Sequence, residues 1–460
     1  MGVVVPVAAP TVPLPRTPRR TATPSTGPDT STVPIPATRK PDRTGSGRIT
    51  GSWVGIVTAG GVLSLMSAPG QTAGLSVFTD PLIAELGVTR TQISVSYLIG
   101  TLVGAAVLPF IGRALDRFGV RRTTIVIGVA FALFLLGLSL AADVYGLTAG
   151  FAGVRMAGQG ALSLAATTAV ARSVTHRRGL ALGIASAVGS AGISLVPVFL
   201  ERLLATTSIH TAWRLEALAV SVVVVTIGLL LPRRRTSRTD GATVTPSSEQ
   251  AATPMGEPVW TLRYASRTGM FWVIASGLAT AGLFSTALAF HQISVLTEQG
   301  LTGTEAAANF LPQTLTGILA TLATGALADR IAPKFGVTFS MLTMAGALWL
   351  LPVVAPGWTA IAYGLVLGAA GGSLRGIEAA AYVRYYGASN IGVIRGVATS
   401  VNLASTAVGP LLLSLGHDLT GNYTGPVLVL SVIPVTVAIV SVFAPAPVHP
   451  DLRSAAAKHP

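Results

Sequence analysis

The 460-residue chain has no cysteine, and only 10% of its residues are charged and 6% aromatic. Without cysteine there is no disulfide, no thiolate metal site and no cysteine nucleophile. The shortage of charge has a wider consequence. Globular chains carry about 25% charged residues, so this one lacks the polar surface that a water-soluble fold of its length needs. Enzymatic signatures are missing as well: there is no G-x-x-x-x-G-K-[ST] phosphate loop, no G-x-S-x-G elbow and no H-E-x-x-H helix. The chain reads as non-enzymatic and not ATP-driven, with no catalytic residue, metal ligand or cofactor to assign.

What the sequence has is apolar length. Half of it is hydrophobic and 51 residues are glycine, and its apolar runs approach the roughly 20 residues needed to cross about 30 Å of hydrocarbon. Twelve spans are read at 52–79, 91–111, 122–142, 146–171, 179–200, 213–231, 269–296, 304–327, 336–354, 358–383, 392–416 and 425–445. The fold class that follows is an all-α membrane protein of twelve transmembrane helices in two pseudo-symmetric six-helix bundles, residues 51–231 and 269–446. Residues 1–50, rich in Pro, Thr, Ser and Arg, have too little apolar content to offset the entropy of ordering and read as a disordered tail. Its first residues, MGVVVPVAAPTVPLP, are interrupted by proline and carry no basic leader, which makes a poor signal peptide. Residues 232–268, with RRRTSRTDGATVTPSSEQ, read as a polar linker, and 447–460 as a short tail.

A net charge of +14 would point to nucleic acid in a soluble protein, but here the arginines lie between apolar spans. With a cytoplasmic N-terminus, Arg113, Arg117, Arg121, Arg122, Arg172, Arg177, Arg178, Arg233, Arg234, Arg235, Arg330, Lys334 and Arg384 fall inside. Arg90, Arg202 and Arg214 fall outside. That is the positive-inside asymmetry. It predicts cytoplasmic termini, a bilayer environment, by composition a bacterial inner membrane, and no nucleic-acid partner.

Charge concentrates in GRALDRFGVRR at 112–122, and GALADRIAPK at 325–334 echoes it. Each is preceded by a capping box, Thr89 with Gln92 and Thr302 with Glu305, which satisfies the free amides of a helix start. Thr89 to Asp116 and Thr302 to Asp329 are both 27 residues, a helical rise of about 40 Å, so each box and its aspartate belong at opposite membrane faces. Arg178–Gly179 in RRGLALG and Arg395–Gly396 in IRGVATS extend the repeat. Parallel repeats of six helices are a transporter architecture. Gly112 and Gly119 permit close backbone approach or a tight turn, and Asp116 is placed to accept bonds from an arginine or a helix N-terminus.

The G-x-x-x-D-R-x-G-x-R-R hairpin resembles the loop 2–3 motif of the major facilitator superfamily, and the G-x-x-x-D-R copy resembles its degenerate partner in loop 8–9. The resemblance runs from residue 52 to residue 445. It implies alternating access between two bundles. It also implies that Gly112, Asp116, Arg117, Gly119, Arg121 and Arg122 form a cytoplasmic latch between the halves in the outward-facing state, with a weaker one at Asp329 and Arg330. THRRGLALGIASAVGSAG with Pro197, AWRLEAL at 212–218 and VGPLLLSLGHDLTGNY at 408–423 resemble the monocarboxylate-transporter-like and oxalate/formate-exchanger-like branches. The acidic and aromatic first-helix signature of animal monocarboxylate transporters is replaced here by SAPGQTAGLSVF.

Ionisable side chains within a bilayer are costly, so those inside spans are candidate functional residues. Arg155, in RMAGQG, resembles the family's R-x-x-x-G-x-G element, which implies proton or anion handling; packing against helix-end carbonyls is the alternative. His291 titrates in a range suited to proton coupling, or else is a satisfied histidine at the outer interface. Arg375 and Glu378 share a helix face three residues apart and are expected to pair, either as a switch that an anion opens or as a permanent structural pair. Gln71 and Thr72 follow a proline and a glycine that loosen the first span and free carbonyls toward a cavity, or mark a packing kink. Gly179, Gly183, Gly189 and Gly192 read as close-packing positions.

The functional expectation is a secondary active transporter, a proton-coupled symporter of a small organic anion such as a monocarboxylate, working as a monomer. A proton-coupled exporter of amphipathic compounds is the alternative within the class. A transport-inactive membrane sensor or scaffold is the alternative outside it.

Overall fold

The structure, a computed structural model, describes residues 51–174, 177–232, 259–328, 330–387 and 390–450. The expected N-terminal tail, most of the linker and most of the C-terminal tail therefore lie outside the described residues. Among the described residues every regular element is helical. Among the described residues eleven helices are long and apolar enough to cross a membrane: α1 (Trp53–Ser76), α2 (Arg90–Phe118), α3 (Val120–Leu138), α5 (Arg178–Leu204), α6 (Ile209–Leu230), α7 (Gly269–Phe290), α8 (Gly303–Leu327), α9 (Pro333–Val353), α10 (Trp358–Tyr386), α11 (Ile391–Thr420) and α12 (Thr424–Phe443). The twelfth, α4 (144–173), is a continuous helical stretch whose middle, Arg155–Leu162, widens into a π-turn. Expected and observed spans agree to within a few residues at most ends. Two ends depart further: the second helix, expected to end at 111, continues to Phe118, and the seventh, expected to reach 296, stops at Phe290, with a separate short helix at Gln292–Glu298.

The repeat seen in the sequence is a repeat of packing. Within the first bundle α2 packs on α4, α1 on α5 and α3 on α6; within the second α8 packs on α10, α7 on α11 and α9 on α12. Each pair in one bundle has its counterpart six helices later. The bundles meet where α2 packs on α11, α5 on α8 and α1 on α7. Both capping boxes form as read: the Thr89 and Thr302 hydroxyls accept from the Gln92 and Glu305 amides, and the Gln92 and Glu305 side chains accept from the threonine amides. They start α2 and α8 at one end of the bundle. The hairpins 112–122 and 325–334 lie at the opposite end, here termed the hairpin end.

Lipid offers apolar side chains no gain on helix association, so close backbone approach carries the packing. The tightest seam follows Gly364, Gly368, Gly372 and Gly376, every fourth residue of α10 and so on one face. A Cβ at Gly364 would stand 2.7 Å from the Asn309 Oδ1, and those at Gly368, Gly372 and Gly376 would collide with the carbonyls of Gln313, Gly317 and Thr321 on α8. A second approach joins the loosened part of α1 to the π-turn of α4. Residues Ala68–Gly70 form a 3₁₀ turn, and a Cβ on Gly158 would meet the Gly70 Cα at 2.9 Å. On α5, Gly189 and Gly192 press on Ser64 and Leu65 of α1 as expected, whereas Gly179 and Gly183 face open space; Gly183 lines a cavity walled by α5, α8 and α10 instead.

The linker is not uniformly a polar spacer. Its end, with a short helix at Leu262–Ala265, packs against the residues after α12, where Trp260 and Tyr264 lie edge-on to His449 at 4.9 and 5.3 Å.

Candidate functional site

Between the bundles lies a cavity of about 540 Å³ walled by α5, α8 and α10, with Ser285 contributed by α7. Its polar wall comes from Ser186, Ser190, Gln313, Thr314 and Thr321, and its one charged lining residue among those described is Arg375. The glycine seam explains that position. Where Gly372 and Gly376 press α10 onto α8, Arg375 points along the seam's edge, and its Nη2 would lie 3.2 Å from a Cβ on Gly317. The guanidinium is accessible to the cavity yet deeply surrounded by protein. Among the described residues no carboxylate lies within ion-pair reach of it. A cation at this depth without a counter-charge is expensive.

The expected Arg375–Glu378 pair does not form. Glu378 Oε1 instead accepts from Arg395 Nη2 of α11 at 3.1 Å. Three-residue spacing on a helix permits a pair but does not select it; here the neighbouring helix supplies the closer partner, and Arg375 turns toward the cavity.

Arg155, Gln71 and Thr72 are brought together, but away from the cavity. Arg155 is 2% exposed. Its Nη1 donates to the Gly70 carbonyl at 3.3 Å and to Thr72 Oγ1 at 3.4 Å, and its guanidinium lies 4.1 Å from the centre of the Tyr97 ring. The Tyr97 hydroxyl bonds Thr72 Oγ1 at 2.7 Å, and Gln71 Nε2 donates to Ser67 and Ser163. The carbonyl freed by the Pro69–Gly70 break thus faces an arginine rather than a substrate space. Phe290 of α7 covers the Tyr97 ring at 4.4 Å.

His291 is likewise not a cavity residue. It is fully buried at the capping-box end, where its Nε2 faces the Pro410 carbonyl at 3.1 Å and its Nδ1 faces the Tyr423 hydroxyl at 3.0 Å. A carbonyl only accepts, so Nε2 carries the proton and Nδ1 accepts from Tyr423. Arg90 Nη1 donates to that hydroxyl at 3.3 Å and to Asp80 Oδ1 at 2.6 Å. Ser294 donates to Asp80 Oδ2 at 2.8 Å, Thr91 to Asp418 at 2.5 Å, and the Ser94 and Ser414 hydroxyls are in contact. Asp80, Arg90, Thr91 and Ser94 belong to the first bundle, while Ser294, Ser414, Asp418 and Tyr423 belong to the second. The network ties the bundles together at the capping-box end. Sequence reasoning places Arg90 only as an outside arginine and Tyr423 only as the end of a family-like stretch, and does not single out Asp80 or Ser294, because nothing local marks a contact between residues more than 200 positions apart.

At the hairpin end Asp116 pairs with Arg172, from the end of α4 in the same bundle, and Arg172 Nη1 also donates to the Leu115 carbonyl at 3.1 Å. Gly119 has φ +83°, the left-handed region that glycine enters without strain, which lets α3 start one residue after α2 ends. Gly112 faces open space and closes no contact. Arg117, Arg121 and Arg122 line a pocket beside the turn. Arg330 is exposed, and Asp329 lies outside the described residues.

Comparison with known proteins agrees with this architecture. The sequence profile of the Major Facilitator Superfamily matches residues 61–410. A triacylglyceride transporter of Mycolicibacterium hassiacum is 34% identical over 152 residues, covering 31% of this chain and 27% of that one. The chain thus spans little more than a quarter of that relative's length. An MFS-type transporter of Aspergillus fumigatus is 23% identical over 400 residues, covering 83% of this chain and 87% of that one. Two crystal structures of a bacterial homologue of the human lysosomal transporter Spinster share the fold. The inward-facing occupied form gives a TM-score of 0.63 at 15% identity, covering 85% of this chain and 96% of that one. The inward-facing unoccupied form gives 0.64 at 16%, covering 86% and 97%.

Proposed function

Because the chain belongs to the major facilitator superfamily, a family of membrane transporters, we propose that it is a proton-coupled secondary carrier of a small organic anion, with Arg375 as the residue that receives the anion's charge. The observation that carries this reading is a guanidinium on the wall of a cavity of about 540 Å³ between the two bundles, with no acidic partner among the described residues. An anion in the cavity supplies the counter-charge that Arg375 lacks, and the surrounding hydroxyls and Gln313 offer hydrogen bonds to orient it. Uncharged hydrogen-bonding side chains around one arginine suit a carboxylate better than a cation, which would meet no acidic group among the described lining residues.

The hairpin end is assigned to the cytoplasm on the arginine distribution. The network of Asp80, Arg90, Ser294 and Tyr423 then seals the outer side, and the cavity belongs to an inward-facing state. Transport requires that seal to open while the hairpin end closes, and Asp116 with its arginines serves as the latch in that second state. Glu378, three residues from Arg375 and paired with Arg395, is the carboxylate best placed to exchange a proton with the cytoplasm. The cavity and both bundles belong to one chain, which supports action as a monomer in a multi-pass inner-membrane setting.

A second reading is favoured by one observation, the likeness to a triacylglyceride transporter over part of the chain: export of an amphipathic compound. A thermal-shift screen of purified protein against carboxylates, sugars, amino acids, lipids and cationic drugs separates the two. Stabilisation by carboxylates that is lost in Arg375→Ala supports the first. Stabilisation by amphipathic compounds with carboxylates inert, in wild type and Arg375→Ala alike, overturns it. Absence of flux into proteoliposomes for every stabilising compound would return the protein to the sensor or scaffold class.

A further inference from the structure

A second concavity lies at the hairpin end, outside the central cavity. Its volume is about 720 Å³, and it is walled by the α2–α3 turn, the end of α4 and the end of α6. Four arginines line it, Arg117, Arg121, Arg122 and Arg172. Among the described lining residues none is acidic, and the hairpin's Asp116 is in contact with Arg172, so the described lining is positively charged. The start of α3 adds to it. Val120 is the first residue of a 19-residue helix whose N-cap, Gly119, has no side chain to cap the first-turn amides. Those amides and the helix dipole favour an anion at the same place.

We propose that this pocket binds a phosphate-bearing anion. Several arginines around one pocket, together with backbone amides, suit the tetrahedral oxygens of a phosphate ester, which accept from more than one direction at once, better than a planar carboxylate. The source is either the headgroup of an anionic phospholipid or a soluble phosphate. The pocket's rim reaches apolar surface: Phe118, under the Arg117 guanidinium at 5.4 Å, is 53% exposed and Leu230 is 79% exposed. That arrangement lets acyl chains lie against the helices while the headgroup enters between the arginines. An anion seated there competes with Asp116 for Arg172, which ties its occupancy to the latch.

The test is native mass spectrometry and thermal shift of the purified full-length protein with phosphatidylglycerol, phosphatidylcholine and inorganic phosphate. Phosphatidylcholine, whose own cation neutralises its phosphate, is the comparison. Binding of phosphatidylglycerol in preference to phosphatidylcholine assigns the lipid source, and binding of inorganic phosphate alone assigns the soluble one. In either case Arg121→Gln/Arg122→Gln is expected to weaken binding by on the order of tenfold or more, since two charge-assisted bonds are lost. Arg113→Gln, which removes one charge from the same hairpin outside the pocket, is expected to leave it intact. If the double variant is not recovered folded, Arg172→Gln provides the same reading. The proposal is overturned if neither anion binds better than phosphatidylcholine, or if removing the pocket arginines weakens binding no more than Arg113→Gln does.

Discussion

Arg384 braces the α8–α9 hairpin as Arg172 braces the α2–α3 hairpin. Arg172 at the end of α4 donates to the Leu115 carbonyl, and Arg384 at the end of α10 donates to the carbonyls of Ala328 and Ile331 at 3.3 and 2.7 Å. Each arginine reaches from the fourth helix of its repeat to the end of the second, and so fixes where the hairpin sits relative to that fourth helix. In the first bundle the same arginine also holds Asp116, which would make the brace and the proposed latch one device.

That sharing gives the first prediction. Asp116→Asn is expected to slow transport about fivefold, in line with the ~1 kcal/mol of an exposed pair, with expression and substrate affinity retained. Arg172→Gln is expected to act on the same device, so the double variant should be no slower than the worse single one. Proteoliposome flux of all three checks this; fully multiplicative losses would show that the two residues act separately.

The seal at the capping-box end offers a direct test of alternating access. Ser94 and Ser414 lie in hydroxyl contact across the two bundles, and the chain has no cysteine of its own. Ser94→Cys/Ser414→Cys is therefore expected to form a disulfide under oxidation, since side-chain contact is near what that bond requires. Transport should fall to background when oxidised and recover with reductant. Full transport by a protein shown to be cross-linked would mean that this end does not need to open.

The two capping boxes, the twelve spans and the repeat are legible in the sequence because they are local or periodic features, and short-range physics is enough to set them. Arg155 stands out in the sequence as an ionisable residue inside a span, but its surroundings do not, because they depend on a glycine-to-glycine contact between α1 and α4. The Glu378 partner escapes the sequence for a related reason: spacing along a helix identifies a candidate within the helix and is silent about the arginine of the next one. The α10 glycine seam follows a plain every-fourth pattern, GLVLGAAGGSLRG, which is the signal of close packing that could have marked it.

That seam yields a stability prediction. A side chain at Gly372 would collide with the Gly317 carbonyl and stand 2.8 Å from its Cα, and backbone cannot swing away as a side chain does. Gly372→Val is expected to separate α8 from α10 and cost more than the ~1–3 kcal/mol of ordinary overpacking. Gly346→Val, where a Cβ would meet nothing within 4 Å, is the comparison. Equal melting temperatures for the two variants would remove the seam from the account of the fold.

Membrane orientation is tested by labelling. Asp240→Cys in the linker and Arg453→Cys in the C-terminal tail, both outside the described residues, are expected to react with an impermeant maleimide only after the cells are opened. Reaction of either site from outside intact cells would reverse the assignment of the hairpin end, and with it the inward-facing description of the cavity.

The final prediction joins Arg375, Glu378 and Arg395 in one cycle. In the empty cavity Arg375 has no acidic partner among the described residues, and Glu378 is paired with Arg395. An anion bound at Arg375 would bring negative charge onto the helix face that carries Glu378, and a proton entering with the anion would offset it. Protonation in turn releases Arg395 and loosens the tie between α10 and α11 that a closing motion must break. Anion and proton therefore bind with positive coupling, and linkage requires each to tighten the other by the same factor. Glu378→Gln fixes the uncharged form, so it is expected to keep or improve anion binding while accumulation ceases to follow the pH gradient. Arg375→Ala removes a charge-assisted contact and is expected to weaken anion binding by about 10- to 100-fold, whatever the state of Glu378. Arg395→Gln leaves Glu378 without its partner and is expected to alter the pH dependence of accumulation while anion binding at Arg375 is kept. Equilibrium binding and gradient-driven uptake, each measured across pH for the three variants, decide the matter. Wild-type pH dependence of accumulation in Glu378→Gln would exclude that carboxylate as the coupling site even if Arg375 proves to be the anion's anchor.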